Sequence, residues 1–483
     1  MSPDHLFPIG SFVSLSEVEG VTRLGLVEAH HVLPGGDMQA AGRVLGVVDA
    51  KGLDSTATST FAAATVAEAD PDMVSSLNVG AAATLDIGSI ASGRDLPARL
   101  IPRRLNRHTF WCGQSGSGKT YALGVLLEEV LLHTELPLII FDPNGDFVRL
   151  ADIRDDAPPD RAEQLRQLKL RVLRPRSQPG EDLRVRFTDL ELPAKAALMR
   201  LDPLIDRVEY NTTLHLEELL SERRIDQILP ALRELDDPGA TSLALRIENL
   251  GLLNWEIWAL GGLHVTEIID TRPAATVLDL GGFRYNEEPL VVALAVLDEL
   301  WSRRNERRPV LLVIDEAHNL CSPDLTSPLQ TAVRDRIIQI AAEGRKYGLW
   351  LLLSTQRPSK IHSGIISQCD NLALMKMSSQ SDLDELTKIF GFAPPAMVSL
   401  SPQFRQGEAL FAGGFAPVAT TVRVRKRLTH EGGRDVGVPL RSWSADGHSL
   451  GCRRWRYLGQ PAHPERVEEA EQAGDHRDKQ SHL

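Results

Sequence analysis

Short apolar runs separated by amphipathic stretches characterise the chain from about residue 107 onward. The runs are too short for buried helices and are bounded by polar residues, which is typical of buried strands. Buried strands that alternate with helices predict a mostly parallel sheet covered on both faces, the α/β class. The predicted strands are Thr109–Cys112, Leu138–Phe141, Thr276–Leu280, Val310–Ile314, Trp350–Ser354 and Leu372–Met375. The predicted helices between them include Tyr121–Leu132, Leu290–Arg303 and Asp335–Tyr347.

Two other regions differ from this one in composition and in their pattern of hydrophobic residues. Residues 1–95 contain short alternating runs such as Thr22–Val27 and Gly42–Val48, separated by Gly-containing turns. This pattern predicts a small β-barrel or sandwich, with a loosely ordered arm as the alternative. Residues 151–270 are polar and Leu-rich, as in Ala194–Val208 and Leu214–Leu235. We interpret them as an α-helical insertion that divides an α/β core of residues 96–150 and 271–430.

Composition narrows the class of protein. The 483 residues are 42% hydrophobic and 24% charged, which is typical of a soluble globular protein. No apolar run reaches the length of a membrane span, so we predict neither a transmembrane helix nor a membrane partner. The four cysteines lie far apart and fit free thiols in a reducing cytoplasm. The net charge is −12, which disfavours a surface that binds nucleic acid without selectivity. It is compatible with DNA bound in a small basic channel. Residues 431–483 form a C-terminal extension, and from about Cys452 it carries mixed charge and few large apolar residues, which predicts a disordered tail.

One segment fits the phosphate-binding pattern G-x-x-x-x-G-K-[ST]. Its glycines allow backbone N–H groups to surround phosphate oxygens, and the following helix directs its positive end at the same anion. Lys119 is placed to reach the β- and γ-phosphates of ATP, and the Thr120 hydroxyl to bind Mg²⁺. A flexible Gly/Ser turn is the alternative, but a predicted strand before the segment and a helix after it favour the phosphate loop. The nucleotide-binding residues are Gly113, Gln114, Ser115, Gly116, Ser117, Gly118, Lys119, Thr120 and Tyr121.

A buried strand, Leu311–Ile314, ends in the two carboxylates of Asp315 and Glu316. Carboxylates at the carboxyl ends of parallel strands lie where ligands bind in open α/β sheets. We expect Asp315 to hold Mg²⁺ and Glu316 to accept a proton from the attacking water. An acidic helix cap after a core strand is the alternative. Beside a phosphate loop, the pair predicts an ATPase.

The chain resembles the HerA family of the HerA/FtsK group of ring-forming DNA translocases. The resemblance rests on ordered motifs that cover nearly the whole chain. These motifs are His108-Thr109, Phe141–Phe147 (FDPNGDF), Asp315–His318 (DEAH), Glu343–Gly348 (EGRKYG), Ser354–Ser359 (STQRPS) and Ser367–Asp370 (SQCD). The resemblance implies a RecA-like core with a small N-terminal barrel, and a homohexamer with ATP between subunits and duplex DNA through its centre.

The resemblance also suggests roles for individual residues. Gln356 would contact the γ-phosphate or its water, and Asp142 would position water or metal. Arg345 would reach a neighbouring subunit's γ-phosphate as an arginine finger, with Arg107 as a further nucleotide sensor. The chain reads Ala341-Ala342-Glu343-Gly344 where we expect another Arg among its relatives. The alternatives are a polar strand cap for Gln356, a turn-opening Asp for Asp142, and a helix-end cation for Arg345.

Contacts with DNA are predicted in three segments, of which two are loops that combine cations with small or aromatic residues and the third is a strand-like run of alternating basic residues. These segments are Gly282–Tyr285, Arg357–His362 and Arg423–Arg427. The last fits a solvated edge strand equally well.

The sequence therefore predicts a HerA-type DNA translocase or helicase that works with a separately encoded nuclease or other effector. Both DNA end processing in repair and defence against foreign DNA, including antiviral defence, are compatible with it. The rivals are a type IV secretion-like pumping ATPase and a structural ring that assembles and switches an effector.

Overall fold

The predicted buried strands form the centre of a large mixed sheet. The computed structural model describes residues 6–49, 52–56, 60–92, 96–219 and 225–433. Within them, twelve strands form one sheet in the order β11-β10-β12-β9-β13-β14-β8-β15-β16-β17-β6-β7. Its strands are β6 (Leu85–Ile90), β7 (Pro97–Leu100), β8 (His108–Cys112), β9 (Leu138–Asp142), β10 (Leu170–Arg174), β11 (Glu181–Asp182), β12 (Ala275–Asp279), β13 (Val310–Ile314), β14 (Leu349–Thr355), β15 (Cys369–Met375), β16 (Glu408–Gly413) and β17 (Thr420–Val424).

The eight strands from β11 to β15 in that order are parallel, and the remaining four are antiparallel. β14 lies between the phosphate-loop strand β8 and the carboxylate strand β13. This is the RecA-like arrangement, so the predicted α/β core is confirmed. Every residue of β8, β9, β12 and β13 is buried, which explains their continuous apolar runs.

Helices cover both faces of this sheet. Those of the core are α2 (Lys119–His133), α10 (Glu288–Ser302), α11 (Pro328–Glu343), α12 (Ser363–Ile366), α13 (Gln380–Ile389) and α14 (Pro395–Ser399). The α11 helix begins earlier than its predicted start at Asp335, because Ser327 and Gln330 form a reciprocal cap ahead of it. None of the described helices is long and apolar enough to cross a lipid bilayer.

The region of residues 151–270 is mainly helical but also contributes strands β10 and β11 to the large sheet. Its helices are α3 (Pro159–Arg166), α4 (Leu192–Met199), α5 (Arg207–Leu214), α6 (Leu216–Leu219), α7 (Ile228–Glu234), α8 (Pro238–Asn249) and α9 (Val265–Asp270). Ala194–Val208 is helical only in part, within α4 and at the start of α5. α4 ends where Arg200 adopts a left-handed conformation, and the Asp202 carboxylate accepts N–H groups from Leu204 and Ile205 in a turn.

The N-terminal residues form an antiparallel sheet of five strands in the order β4-β3-β2-β1-β5. The described residues leave β4 and β5 as its edges, so barrel closure stays a prediction. The sheet consists of β1 (Phe12–Ser16), β2 (Thr22–Val32), β3 (Met38–Asp49), β4 (Gly52–Asp54) and β5 (Thr65–Glu68), and helix α1 (Pro71–Gly80) follows it. β6 lies within residues 1–95 but joins the large sheet beside β17. The predicted tail falls almost entirely outside the described residues, as does Cys452.

A C-terminal strap, residues 424–433, crosses the phosphate-loop helix α2. Its backbone N–H groups at Leu428 and Thr429 donate to the buried Glu128 carboxylate at 2.8–2.9 Å. Arg425 forms ion pairs with Glu128 and Glu129, at 3.4 and 2.7 Å. The strap therefore neutralises two fully buried carboxylates of α2.

Candidate nucleotide site

The phosphate loop connects β8 to α2 at the carboxyl edge of the sheet. Gly116 and Gly118 have φ angles of 75° and 88°, a region that glycine adopts without strain. A Cβ at Gly113 would lie 2.7 Å from the Met375 Cβ, so the loop also needs glycine for close packing. No side chain caps the N-terminus of α2 at Gly118, which leaves the first N–H groups of the helix available to an anion.

Lys119 begins α2 and is almost fully buried among acidic partners. Its Nζ lies 2.9 Å from Asp315 Oδ1 and 3.2 Å from Glu316 Oε1. Ser354 completes the group: its hydroxyl accepts from Lys119 at 2.8 Å and donates to Asp315 at 2.6 Å. Burial alone would lower the pKa of Lys119, but the two carboxylates outweigh it and raise that pKa. Lys119 therefore remains charged.

Glu316 is held in an uncommon backbone conformation, with φ 43° and ψ 49°, directly after β13. Gln356 Nε2 donates to its Oε1 at 2.7 Å, and His318 Nδ1 lies 3.2 Å from its Oε2. Burial opposes ionisation, but His318, Lys119 and Gln356 together hold the pKa of Glu316 at about 2. The carboxylate is therefore ionised at neutral pH, as a proton acceptor must be.

Three carboxylates, from Asp142, Asp146 and Asp315, offer oxygens that all lie within 4.8 Å of one another. Asp142 ends β9 and its two oxygens accept the N–H groups of Asp146 and Phe147 at 3.0 and 2.7 Å. Burial raises the pKa of Asp142 to about 7, and burial followed by repulsion from Asp315 raises that of Asp146 to about 6. Asp315 Oδ2 is buried without a hydrogen-bond partner. The donor set of three carboxylates fits a divalent cation.

Tyr121 faces the C-terminal strap. Its hydroxyl accepts the N–H of Arg427 at 2.8 Å. The predicted nucleotide contact of Tyr121 therefore falls to its backbone, in the first turn of α2.

Arg345 lies at the opposite edge of the sheet from this site. It belongs to the turn Gly344–Tyr347, which precedes β14, whereas Gln356 directly follows that strand. Seven strand residues separate the two edges by about 20 Å. Arg345 Nη1 lies 2.7 Å from Asp370 Oδ2, and Arg107 Nε lies 3.9 Å from the same atom. Both cations are partly exposed.

The predicted DNA-contact segments fall into two groups. Gly282–Tyr285 and Arg357–His362 follow the carboxyl ends of β12 and β14, and Arg284 and Arg357 are exposed there. For Arg423–Arg427 the interpretation as an edge strand is wrong, whereas contact with DNA stays a prediction for Arg423 and Lys426, whose side chains are exposed. β17 lies between β16 and β6 and is not an edge strand. Arg425 and Arg427 are occupied by their contacts with the acidic residues of α2.

Three residues of the site were not singled out individually by the sequence: Ser354, His318 and Asp146. Each lies within a recognised motif, close to a predicted site residue. Ser354 precedes Gln356 by two positions on β14, His318 follows Glu316 by two, and Asp146 follows Asp142 by four. The short distance in sequence to a predicted site residue is the signal that could have identified each of them.

The chain is similar in sequence to known helicases. A family model described as the central domain of the helicase HerA matches residues 85–253. A probable helicase of Methanocaldococcus jannaschii is 24% identical over 394 residues, covering 75% of this chain and 71% of its own. The DNA double-strand break repair helicase HerA of Sulfurisphaera tokodaii is 23% identical and covers 71% and 69%. The structure of VirB4 of Thermoanaerobacter pseudethanolicus superposes with a TM-score of 0.46 at 13% identity, covering 71% of this chain and 96% of that one. The resemblance indicated by the motifs is confirmed: the chain is a P-loop ATPase related to the HerA helicases.

Proposed function

We propose that this protein is an ATP-driven DNA translocase that works as a ring of six subunits around duplex DNA, together with a separately encoded nuclease or other effector. The observation that carries the proposal is the separation of Arg345 from its own nucleotide site by the length of β14. A cation that serves a γ-phosphate from that edge must serve a neighbouring subunit's nucleotide. The name of the Sulfurisphaera tokodaii relative supports DNA as the partner.

The residues of the site divide the chemistry among them. The backbone of residues 113–120 and Lys119 bind the phosphates of ATP, while Thr120 and Asp315 hold Mg²⁺, which neutralises phosphate charge when bound. Glu316 accepts the proton of the attacking water. Gln356 orients that water or contacts the γ-phosphate, after exchanging its hydrogen bond with Glu316. Arg345 stabilises the charge that develops on a neighbour's γ-phosphate.

Glu316→Gln tests the proton-acceptor role. The variant keeps the shape of the side chain and should still bind ATP, but turnover should fall by about 10²–10⁴. Steady-state phosphate release and binding of a fluorescent ATP analogue would be measured with and without duplex DNA. Glu343→Gln is a matched control, because Glu343 is half exposed and pairs with the exposed Lys346. Near wild-type turnover in Glu316→Gln would refute the assignment.

Mixing of subunits tests whether Arg345 acts in trans. Arg345→Ala and Lys119→Ala subunits should each be inactive alone. In a mixed ring, an intact phosphate loop of the first can meet an intact Arg345 of the second, so part of the ATPase activity should return. Normal turnover by Arg345→Ala alone, with no recovery in rings shown to exchange subunits, would leave Arg345 as a partner of Asp370 only.

Two further measurements separate the proposal from its rivals. Native mass measurement with ATP and DNA present should find species near six times the 53.1 kDa chain, and monomers alone would contradict the ring. Duplex DNA should stimulate ATPase activity. Equal activity without DNA would favour a pumping ATPase, and full effector activity in Glu316→Gln would favour a structural ring. Copurification of the native complex would identify the effector.

A further inference from the structure

We propose that Thr355 and His318 are positioning residues that decide whether one oxygen of the Glu316 carboxylate is free to receive the proton of the attacking water. In one arrangement His318 bonds Thr355 and leaves Glu316 Oε2 open. In the other arrangement His318 donates to Oε2 and blocks it. The inference rests on the proposed role of Glu316 as the proton acceptor, and it adds two residues that act through that carboxylate.

The two oxygens of the Glu316 carboxylate differ in their surroundings. Oε1 accepts from Gln356 Nε2 at 2.7 Å and lies 3.2 Å from Lys119 Nζ. Oε2 is buried and has no hydrogen-bond partner within the described part of the chain, although His318 Nδ1 lies 3.2 Å away. A buried carboxylate oxygen without a partner is costly, so it readily accepts a donor. Oε2 is consequently the oxygen that can take the proton of a water molecule.

His318 Nδ1 lies between two oxygens that it could bond. It lies 3.2 Å from Thr355 Oγ1 and 3.2 Å from Glu316 Oε2, and only the contact with Thr355 is oriented as a hydrogen bond. Nδ1 carries at most one hydrogen, so it can donate to only one of these oxygens at a time. A bond from Nδ1 to Oε2 would occupy the oxygen that must accept the proton. The partner of Nδ1 therefore decides whether Glu316 can act.

The Thr355 hydroxyl is placed to keep His318 from donating to Glu316. Thr355 ends β14 and is fully buried. Its Oγ1 accepts the N–H of Arg357 at 3.0 Å, so the hydroxyl hydrogen is directed elsewhere, and His318 Nδ1 lies within its reach. A hydroxyl that donates to Nδ1 of a neutral ring places the ring hydrogen on Nε2. Nδ1 then has no hydrogen to offer Glu316.

The backbone on both sides of this contact is held, so the His318 ring is the part that can change its partner. The Glu316 carbonyl accepts the N–H of Asn319 at 2.9 Å. The Cys321 carbonyl, a little further along the same turn, accepts the N–H of His362 at 2.8 Å. The His318 side chain, by contrast, is 20% exposed. A rotation of its ring therefore exchanges one partner for the other without a change in the fold.

Steady-state ATPase measurements on Thr355→Val and Thr355→Ser test the proposal. Valine keeps the shape of threonine but cannot bond Nδ1, so His318 should turn to Glu316. The kcat should then fall about 3–10-fold, the effect of losing one hydrogen bond of ordinary strength. The Kd of a non-hydrolysable ATP analogue should stay unchanged, because the side chains that bind phosphate are untouched. Serine keeps the hydroxyl and should retain most of the turnover. A role in packing alone would give the opposite order, with valine active and serine impaired, and would overturn the proposal.

Removal of the His318 nitrogens supplies a second test. His318→Phe keeps an aromatic ring without a donor, so the double variant Thr355→Val/His318→Phe should regain most of the turnover lost in Thr355→Val. Recovery in the double variant, which contains the same valine, excludes a damaged fold as the cause of the loss. Thr387→Val is the matched control, because the Thr387 hydroxyl donates to the Leu383 carbonyl within α13, at 2.8 Å, and its kcat should equal that of the wild type. A double variant no more active than Thr355→Val would overturn the proposal.

Glu316→Gln separates a failure of this inference from a failure of the proposed function. Wild-type turnover in Glu316→Gln would overturn both, because Glu316 would then not be the proton acceptor. An inactive Glu316→Gln beside a fully active Thr355→Val would overturn the inference alone.

Discussion

Lys119→Met should destabilise the nucleotide-free protein, in addition to abolishing phosphate binding. Lys119 is 4% exposed, and its partners Asp315 and Glu316 are 0% and 6% exposed. Methionine keeps most of the side-chain volume, so the change removes charge with little loss of packing. Two buried carboxylates would then lose their shared cation.

The expected cost is about 3–5 kcal/mol in the free energy of unfolding, the range for removing one partner of a buried ion pair. Gln356 and His318 still contact Glu316, so Asp315 bears most of the loss. The deficit should shrink as the pH is lowered toward 4, because uncompensated carboxylates take up protons. Adding Asp315→Asn to Lys119→Met should restore part of the lost stability for the same reason.

Urea denaturation followed by tryptophan fluorescence measures this difference. Lys360→Met is the control, because its ion pair with Asp324 has the same kind of contact, at 2.8 Å, on side chains that are 53% and 73% exposed. That change should cost less than about 1 kcal/mol. If Lys119→Met unfolds within about 1 kcal/mol of Lys360→Met, the buried group is not held together by its lysine and the reasoning is wrong.

Two other changes test features away from the phosphates. Both ring nitrogens of His108 form hydrogen bonds with backbone groups. Burial, together with the charge of Arg345, lowers the pKa of His108 to about 4, so the ring is neutral in the folded state. The free energy of unfolding should therefore fall as the pH drops from about 6.5 to 4, because in this range the unfolded chain binds the proton and the folded chain does not. The urea midpoint should fall over the same range. His108→Gln should show a smaller fall. A methyl group at Gly124 would lie 2.5 Å from the Arg427 guanidinium carbon, so Gly124→Ala should cost about 1–3 kcal/mol in the same assay. Gly391→Ala, which has open space around it, should change stability by less than about 0.5 kcal/mol, and equal effects at the two glycines would contradict the packing argument.

The strands of the core could be predicted because their signal is local. Leu138–Phe141 and Val310–Ile314 are continuous apolar runs, and the structure places both of these strands within one residue of their predicted bounds. The ends of these parallel strands then had to meet at one edge, which brought Asp142, Asp315 and Gln356 together. β10 escaped prediction because its sequence, LRVLR, mixes charge with apolar residues in a region that is otherwise helical.

The remaining features depend on partners that are distant in the sequence. Arg425 and Arg427 look like a basic surface strand until the buried Glu128 and Glu129 appear beside them, about 300 residues earlier in the chain. Asp370 is likewise not recognisable from sequence as the partner of Arg345, because α12 and the start of β15 bring it there. The local pattern gives the elements and the phosphate loop, whereas these pairings follow only from the assembled fold.

The strap has a consequence for the order in which the chain acquires its structure. Glu128 leaves the ribosome some 300 residues before Leu428 and Thr429, the backbone groups that satisfy it. At 5–20 residues per second, that gap lasts about 15–60 s. During this time the carboxylates of the phosphate-loop helix must still be solvated by water. The helix therefore cannot yet bury this side. A nascent chain of this protein therefore completes its nucleotide site only when the strap, residues 424–433, has been synthesised.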